Sequence, residues 1–426
     1  MRSLWSPRKG KNFNKTVSNI KVTLLCGFVT ILVLRGTIGM GGLRIAFLDL
    51  PGDDHLQQDF SASFREANRV LSVLPDSDKN DDDDDEDNDS DNVTPYTFLN
   101  YTLGPKINDW DVQLGTWHAQ NAPSSHPQIL LVTGSSSTPC DHPVGDHYLL
   151  KSIKNKMDYA RLHGLKIFYN MAELDDHLVG FWSKLPLLRR LMLAHPEIEW
   201  LWWMDSDAMF TDMAFELPIE KYKEHNLVLH GWEEEVYKKR TWVGLNTGSF
   251  VLRNCQWSLD LIDAWAPMGP KGNVRRDMGS LFSEVLDGRP PFEADDQSAL
   301  IYLLITQQEL WSSKVFLESA YYLHGYWVNI VDKYEDLMMV SHNGYGDDRW
   351  PFVTHFVGCK PCGNQGEHSK ERCLTEMERA FNFGDNQVLQ TYGFAHKNLG
   401  TYKVKQTKND TAQPFMFENT QLHLDS

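Results

Sequence analysis

Two carboxylates directly follow an apolar segment in the middle of the chain. Residues 200–204 read Trp-Leu-Trp-Trp-Met, and Asp205 and Asp207 come next, separated by one residue. On an extended chain, side chains two residues apart point in the same direction. Two hard oxygen donors on one face suit Mn²⁺ or Mg²⁺, which can bridge to the oxygens of a diphosphate. Because the apolar run would bury the strand and leave the pair at its end, we predict a metal site here rather than a solvated turn or helix cap.

A second acidic cluster precedes the apolar stretch 299–305. Glu293, Asp295 and Asp296 place three acids within four residues. In a cleft, such a cluster could stabilise a developing cation or position an acceptor hydroxyl. At the start of a helix, the same acids would interact favourably with the helix dipole. The residues alone leave both interpretations open.

A third segment combines an imidazole, a glycine and a lysine, at His355, Gly358 and Lys360. Histidine is a common metal ligand, and lysine can pair with phosphate as a point charge. A single histidine after a strand-like segment can equally be a hydrogen-bonded core residue. This segment is therefore a candidate for metal and phosphate binding, with a core role for His355 as the alternative.

Five of the six cysteines lie beyond residue 43. Cys359, Cys362 and Cys373, together with His368, could form a zinc site. In an oxidising compartment, disulfide pairing is favoured over zinc. Because five cysteines cannot all pair within one chain, we expect at least one to be free or intermolecular. The spacing does not predict the connectivity.

Aromatic residues cluster at Trp232, at Trp242 and in the segment 321–327. Each is a candidate platform on which a sugar ring could stack, and each could equally be part of the core. The sequence contains no P-loop, no His-Glu-x-x-His and no nucleophile elbow, which argues against nucleotidase, protease and esterase functions.

The elements that must position these side chains alternate between strands and helices. Strands are predicted at 128–134, 166–170 and 197–204, and helices at 147–163 and 185–195. This alternation indicates an α/β sheet. Ligands of such sheets bind beyond the carboxyl ends of the strands, where several of the candidate residues lie.

The charge of −17 argues against a nucleic-acid partner, since such proteins need a basic surface. Most of this charge lies in residues 76–91, which hold eleven acids and one lysine and are predicted to be disordered.

Residues 1–21 carry six basic side chains and no acidic ones, and an apolar run follows. We predict a retained transmembrane signal anchor with a cytosolic N-terminus, the alternative being a cleaved signal peptide.

The predicted organisation is a cytosolic tail at 1–20, an anchor at 21–42, a lumenal stem at 43–100, a catalytic domain at 101–405 and a tail at 406–426. In the lumen, four Asn-x-Ser/Thr sequons could be glycosylated, at Asn88, Asn92, Asn100 and Asn409.

Four longer blocks carry a resemblance to a known family. Residues 202–216, 244–250, 264–271 and 355–362 resemble plant xyloglucan 6-xylosyltransferases, members of the α-1,6-xylosyl/galactosyltransferase family 34. The resemblance runs from about residue 101 to about residue 405. It implies a GT-A fold with a Rossmann-like central sheet, and single-pass type II topology in the Golgi membrane. It also implies retaining transfer of xylose from UDP-xylose to O6 of glucosyl units in a β-1,4-glucan.

The resemblance also implies roles for individual residues. The Mn²⁺ ligands would be Asp205, Asp207 and His355. Catalytic residues beneath the donor sugar would be Asp295, Asp296 and Gln297. Further donor contacts would come from Thr133, Gly134 and Ser135 after the first strand, and from Ser206, His324, Gly358 and Lys360. The sugar and acceptor cleft would be lined by His230, Trp232, Asn246, Thr247 and Gly248.

One departure from the family pattern is Ala160, which stands where a cysteine is more usual. Two rival functions stay open. The first is a galactosyltransferase that uses UDP-galactose to modify mannan, although Thr247 and Ser249 favour the xylosyl type. The second is a non-catalytic scaffold in a Golgi synthase complex. A homodimer, or a complex with other enzymes of xyloglucan synthesis, is a further expectation.

Overall fold

The computed structural model describes residues 101–121, 126–340, 343–363 and 366–408. The predicted signal anchor, the acidic stem and the four sequons lie outside the described residues, and the predicted domain boundaries remain predictions. In the described part of the chain, none of the helices combines the length and the apolar character needed to cross a bilayer.

A six-stranded mixed sheet forms the centre of the fold. Its strands are β1 (Ile129–Gly134), β2 (Lys166–Asn170), β3 (Trp200–Met204), β5 (Leu227–Gly231), β6 (Leu245–Arg253) and β7 (Val315–Glu318). Across the sheet they follow the order β2-β1-β3-β6-β5-β7. β1 pairs in parallel with β2 and β3, whereas β6 runs antiparallel to its neighbours β3 and β5. The predicted α/β class is therefore confirmed.

The described residues form nine α-helices. They are α1 (Trp110–Gln120), α2 (Pro143–Leu162), α3 (Lys184–Ala194), α4 (Gln256–Trp265), α5 (Asn273–Val285), α6 (Asp296–Thr306), α7 (Gln308–Trp311), α8 (Tyr334–Val340) and α9 (Lys370–Gln390). Helix α2 begins earlier than predicted because Pro143 occupies its first turn and the His142 ring accepts a hydrogen bond from Gly145 N. Helix α3 has nearly its predicted bounds.

The side chains of β3 alternate between two hydrophobic clusters, as expected for a strand buried on both faces. Leu201 and Trp203 belong to the cluster that includes α3, α4 and α6. Trp200, Trp202 and Met204 belong to the cluster on the other face, which includes Tyr159 of α2. All five residues of β3 are buried. This burial anchors the strand and leaves the turn that follows it at the edge of the core.

Two short sheets complete the fold. β4 (Ala208–Phe210) pairs antiparallel with β8 (Val353–His355), and β9 (Phe394–His396) pairs with β10 (Val404–Gln406). In the first of these sheets, Ala208 lies opposite His355. The backbone N–H of Phe356 also donates to the carbonyl of Asp207 at 3.0 Å. This pairing brings the turn after β3 next to a histidine that is 148 residues away in the chain.

Candidate active site

Asp205, Asp207 and His355 form a cluster at the end of β3. His355 Nε2 lies 3.2 Å from Asp207 Oδ1 and 3.9 Å from Asp205 Oδ2. One ligand atom from each residue falls within 4.8 Å of the other two. Two carboxylates and an imidazole are ligands that a divalent cation accepts. The three predicted metal ligands are therefore brought together in a geometry that suits such a cation.

The second nitrogen of His355 is also engaged, since its Nδ1 lies 2.8 Å from Nδ1 of His324. Burial holds the pKa of His324 well below its usual range, so His324 is neutral. The tautomer of His355 that can bind a cation carries its proton on Nδ1, donates it to His324 Nδ1 and has the Nε2 lone pair free. In that tautomer the hydrogen bond would orient a candidate metal ligand from the outer shell.

Gly248 provides the space that the His355 ring occupies. A Cβ atom at this position would lie 2.1 Å from His355 Cε1. Its carbonyl accepts a hydrogen bond from Asp205 N at 2.7 Å. Gly248 lies in the predicted cleft, and it also allows β6 to approach the candidate metal ligands closely.

Lys184 is a buried lysine at the start of α3 that we did not predict from the sequence. Its Nζ lies 2.8 Å from Asp296 Oδ2 and 3.5 Å from Asp205 Oδ1, and it donates to the carbonyl of Thr247 at 3.1 Å. Burial lowers the pKa of Lys184, but the charges of Asp205 and Asp296 outweigh this effect and the net shift is upward. The ammonium therefore stays charged and links the two acidic clusters.

A signal for Lys184 was present in the sequence. Lys184 shares a helical face with Leu187, Leu188 and Leu191, all of which are buried. A lysine on the apolar face of a helix needs a carboxylate partner in the interior.

The second acidic cluster lies both at a helix N-terminus and on a cavity wall, and its proposed chemical role stays a prediction. Asp295 caps α6, with Oδ1 accepting from Ser298 N at 2.7 Å and Oδ2 lying 3.1 Å from the Arg289 guanidinium. Asp296 instead reaches Lys184, as described above. Gln297 accepts from Asn246 Nδ2 at 3.1 Å and donates to the carbonyl of Trp242 at 2.9 Å. Asp295 thus caps the helix, while Asp296 and Gln297 in the same turn line the second cavity.

Two adjoining cavities share Asp205 and Asp207. The first has a volume of about 860 Å³ and lies beyond the ends of β1 and β2. Four of the predicted donor-binding residues besides the shared aspartates line it: Gly134, Ser135, Ser206 and Lys360. Thr133, also predicted to bind the donor, is buried within β1 and is not among the residues that line either cavity.

The second cavity has a volume of about 370 Å³. Its walls combine the predicted catalytic and cleft residues with two of the predicted donor contacts: Asp295, Asp296, Gln297, His230, Trp232, Asn246, Thr247, Gly248, His324 and Gly358. The tertiary structure thus assembles residues that are far apart in the sequence around one space.

The aromatic residues divide between cavity and core. Trp232 and Trp242 line the second cavity, where a sugar ring could stack on them. Tyr321 and Trp327 are buried in the hydrophobic core, so the platform interpretation is wrong for these two.

Two disulfides join four of the cysteines, Cys140 to Cys362 and Cys359 to Cys373. The zinc alternative is therefore wrong, because its three cysteines are consumed by these bonds. Cys255 is the free cysteine among the described residues, in agreement with the expected odd one. The Cys140–Cys362 bond ties the loop after β1 to the segment that carries Lys360, and both segments line the first cavity.

Comparisons with known proteins identify the family of this chain. Residues 125–366 match the galactosyl transferase GMA12/MNN10 family, glycosyltransferase family 34. The chain is 55% identical to "Probable xyloglucan 6-xylosyltransferase 5" of Arabidopsis thaliana, covering 96% of this chain and 88% of that protein. It is 56% identical to "Xyloglucan 6-xylosyltransferase 2" of Arabidopsis thaliana, covering 95% and 92%. It is also 56% identical to "Probable xyloglucan 6-xylosyltransferase 1" of Oryza sativa subsp. japonica, covering 96% and 93%.

Among solved structures, the chain is similar to a glycosyltransferase involved in the glycosylation of the major capsid of PBCV-1. The TM-score is 0.38 at 14% sequence identity, over 59% of this chain and 99% of that one. The mixed central sheet with its helices is an α/β architecture, the class to which the expected GT-A fold belongs. On the extent of these sequence matches, the chain belongs to the galactosyl transferase GMA12/MNN10 family and is a glycosyltransferase.

Proposed function

We propose that this protein is a retaining xylosyltransferase. It transfers α-D-xylose from UDP-xylose to O6 of glucosyl units in a β-1,4-glucan, as a step in xyloglucan biosynthesis. The observation that carries the proposal is the pair of cavities that meet at Asp205 and Asp207. One is large enough for a nucleoside diphosphate, and the other has the size and the aromatic and carboxylate lining of a sugar site. The high identity to proteins named xyloglucan 6-xylosyltransferase supports xylose as the sugar.

Mn²⁺ is the proposed cofactor, held by Asp205, Asp207 and His355. It would supply positive charge beside the diphosphate and act as a Lewis acid. The residues fit a divalent cation because their donor atoms converge within 4.8 Å and His355 Nε2 is kept available by His324. Lys360 lines the nucleotide cavity and adds a second positive charge for the leaving phosphate.

Asp296 is the proposed stabiliser of the cation-like anomeric carbon. Its carboxylate lies on the wall of the sugar cavity and is balanced from behind by Lys184. Because this ion pair reduces the nucleophilicity of the carboxylate, we favour attack by the acceptor on the face from which UDP leaves over a covalent double displacement. In that mechanism the leaving phosphate takes the proton of the acceptor hydroxyl. Gln297, held by Asn246 and Trp242, would contact the sugar beside Asp296.

The environment of His230 favours a ligand with several hydroxyl groups in the second cavity. Burial lowers the pKa of His230 to about 4, so its ring is neutral. Its Nδ1 is buried and has no hydrogen-bond partner among the described residues. A sugar hydroxyl in this cavity would satisfy it, whereas an apolar ligand would leave it unpaired.

The proposal includes type II topology in the Golgi membrane, with the catalytic domain in the lumen. The two disulfides support an oxidising compartment, since such bonds are rare in the cytosol. Assembly as a homodimer or with other xyloglucan synthesis enzymes remains a prediction.

The function is tested by offering the purified full-length protein two donors and two acceptors. We expect transfer of xylose from UDP-xylose to cellohexaose, with an α-1,6 linkage in the product by NMR. UDP-galactose and mannohexaose serve as the competing donor and acceptor. Preferential transfer of galactose to mannohexaose would overturn the substrate assignment and favour the galactosyltransferase alternative.

The affinity for Mn²⁺ should fall as the pH falls. Burial lowers the pKa of His355, but the neighbouring Asp207 and Asp205 outweigh it, so the net shift is upward. Below this raised pKa the imidazole holds a proton that must leave before a metal can bind. We expect the dissociation constant, measured by calorimetry, to rise by up to about tenfold per pH unit once the pH falls below this raised pKa. A constant affinity between about pH 6 and about pH 8 would remove His355 from the ligand set.

A further inference from the structure

One face of α2 is both buried and polar. Ser152, Asn155 and Lys156 lie at positions i, i+3 and i+4, which places them on the same side of the helix. Their exposed fractions are 2%, 2% and 0%. Buried polar groups are costly unless they are hydrogen-bonded, so their partners show what this face does.

All three side chains bond to the backbone just beyond Asp205. Ser152 Oγ donates to the carbonyl of Ser206, and Lys156 Nζ donates to the carbonyl of Ala208 at 2.6 Å. Lys156 also donates to Ser152 Oγ at 2.7 Å, which joins the two side chains. Asn155 makes two bonds to Phe210, accepting from its N–H at 2.7 Å and donating to its carbonyl at 2.9 Å.

The segment held in this way carries one of the three predicted metal ligands and adjoins the other two. Residues 206–210 include Asp207 and begin directly after Asp205. The same segment contains β4, in which Ala208 pairs with His355. The polar face of α2 therefore contacts, from the buried side, the backbone that places all three predicted ligands.

We propose that Ser152, Asn155 and Lys156 are positioning residues that hold the Asp205–Asp207 turn and β4 in the conformation that binds a divalent cation. The proposal rests on the metal site of the proposed function. These residues line neither cavity and would act only through the backbone of the turn.

Hydrogen bonding, rather than charge, explains the role of Lys156. Burial lowers its pKa to about 7, with Asp207 and Asp205 opposing the shift. A neutral amine still has two N–H groups, which match its two acceptors, the Ala208 carbonyl and Ser152 Oγ. A cation bound nearby would favour the neutral amine further. The two hydrogen bonds therefore do not require the lysine to be charged.

The test measures Mn²⁺ binding to the full-length protein without donor, by electron paramagnetic resonance of free Mn²⁺. The variants are Lys156→Met and Ser152→Ala. The matched control is Lys154→Met on the same helix, since Lys154 pairs with Asp158 and Asp385 and makes no contact with the turn among the described residues.

We expect Lys156→Met to raise the dissociation constant about 10- to 100-fold, the usual range for outer-shell changes, and Ser152→Ala about 10-fold. Lys154→Met should leave it unchanged. With donor and acceptor present, the two turn variants should need more Mn²⁺ for half-maximal rate yet approach the wild-type kcat at saturation. A merely structural role would lower the melting temperature without changing the metal dependence.

The outcomes separate this proposal from the proposed function. Unchanged Mn²⁺ affinity in folded Lys156→Met, with Mn²⁺ bound normally by wild type, would overturn the positioning role and leave the metal site intact. If Lys156→Met does not fold, unchanged affinity in Ser152→Ala has the same meaning. If wild type itself binds no Mn²⁺, the proposed metal site fails and the positioning role fails with it.

Discussion

Replacing Asp205 and Asp207 together by alanine is expected to lower kcat/KM for xylose transfer by at least about 1,000-fold, equivalent to about 4 kcal/mol of transition-state stabilisation. The two carboxylates supply the negative charge of the ligand cluster, and they line both cavities. Their loss removes both the cation and the alignment of the donor. The measurement is transfer of xylose from UDP-xylose to cellohexaose, with product quantified by chromatography.

The matched control is a double substitution of two exposed acids, Asp332→Asn together with Asp336→Asn. These residues lie at or near α8 and face solvent, so the control also removes two carboxylates but spares the site. It should retain wild-type activity. Should the wild type transfer no more xylose than the Asp205→Ala, Asp207→Ala variant, the protein would be a scaffold rather than an active enzyme.

Lys184→Met should cost about 3–5 kcal/mol of unfolding free energy, because it leaves Asp296 buried without a counter-charge. The same variant should lose transfer activity, since an uncompensated Asp296 takes up a proton and can no longer stabilise positive charge. Stability is measured by urea unfolding. The double variant Lys184→Met, Asp296→Asn should regain much of the stability, because the buried charge is gone, while remaining inactive.

The loss of stability in Lys184→Met should depend on pH. In Lys184→Met, the pKa of Asp296 lies above its unfolded value, so the folded variant is favoured by protonation and destabilised as the pH rises through that pKa. The difference in unfolding free energy between the wild type and Lys184→Met should therefore become smaller as the pH falls. Lys239→Met is the control, since its partner Glu235 lies 2.6 Å away but its own side chain is 53% exposed. That change should cost less than about 1 kcal/mol. Equal losses in the two variants would contradict the buried-pair interpretation.

The sheet was largely predictable because its signals are local. The run of apolar residues in β3 and the alternation of strands and helices depend on neighbouring residues alone. The strand 166–170 was predicted with its observed bounds, and β1 within one residue at its start. The start of α2 was missed because it depends on the His142 cap and on Pro143 rather than on hydrophobic spacing.

The site was predictable in its residue types but not in its contacts. Asp205 and Asp207 were recognised from their spacing, whereas their grouping with His355 as a third metal ligand came from the family resemblance. The structure adds Lys184, whose partners lie on two other elements, and the polar face of α2, whose partners are backbone atoms. Backbone acceptors carry no sequence signature, so such contacts cannot be read from residue types.

By itself, the sequence determined the α/β class, the acidic pair at the end of a buried strand, and the presence of an odd cysteine. These follow from local periodicity, composition and arithmetic. Only the tertiary structure decided that β4 and β8 pair, that Cys140 joins Cys362, and that Lys184 balances Asp205 and Asp296. Each of these links residues far apart in the chain, and its free energy depends on burial, which arises only when the sheet and its helices pack together.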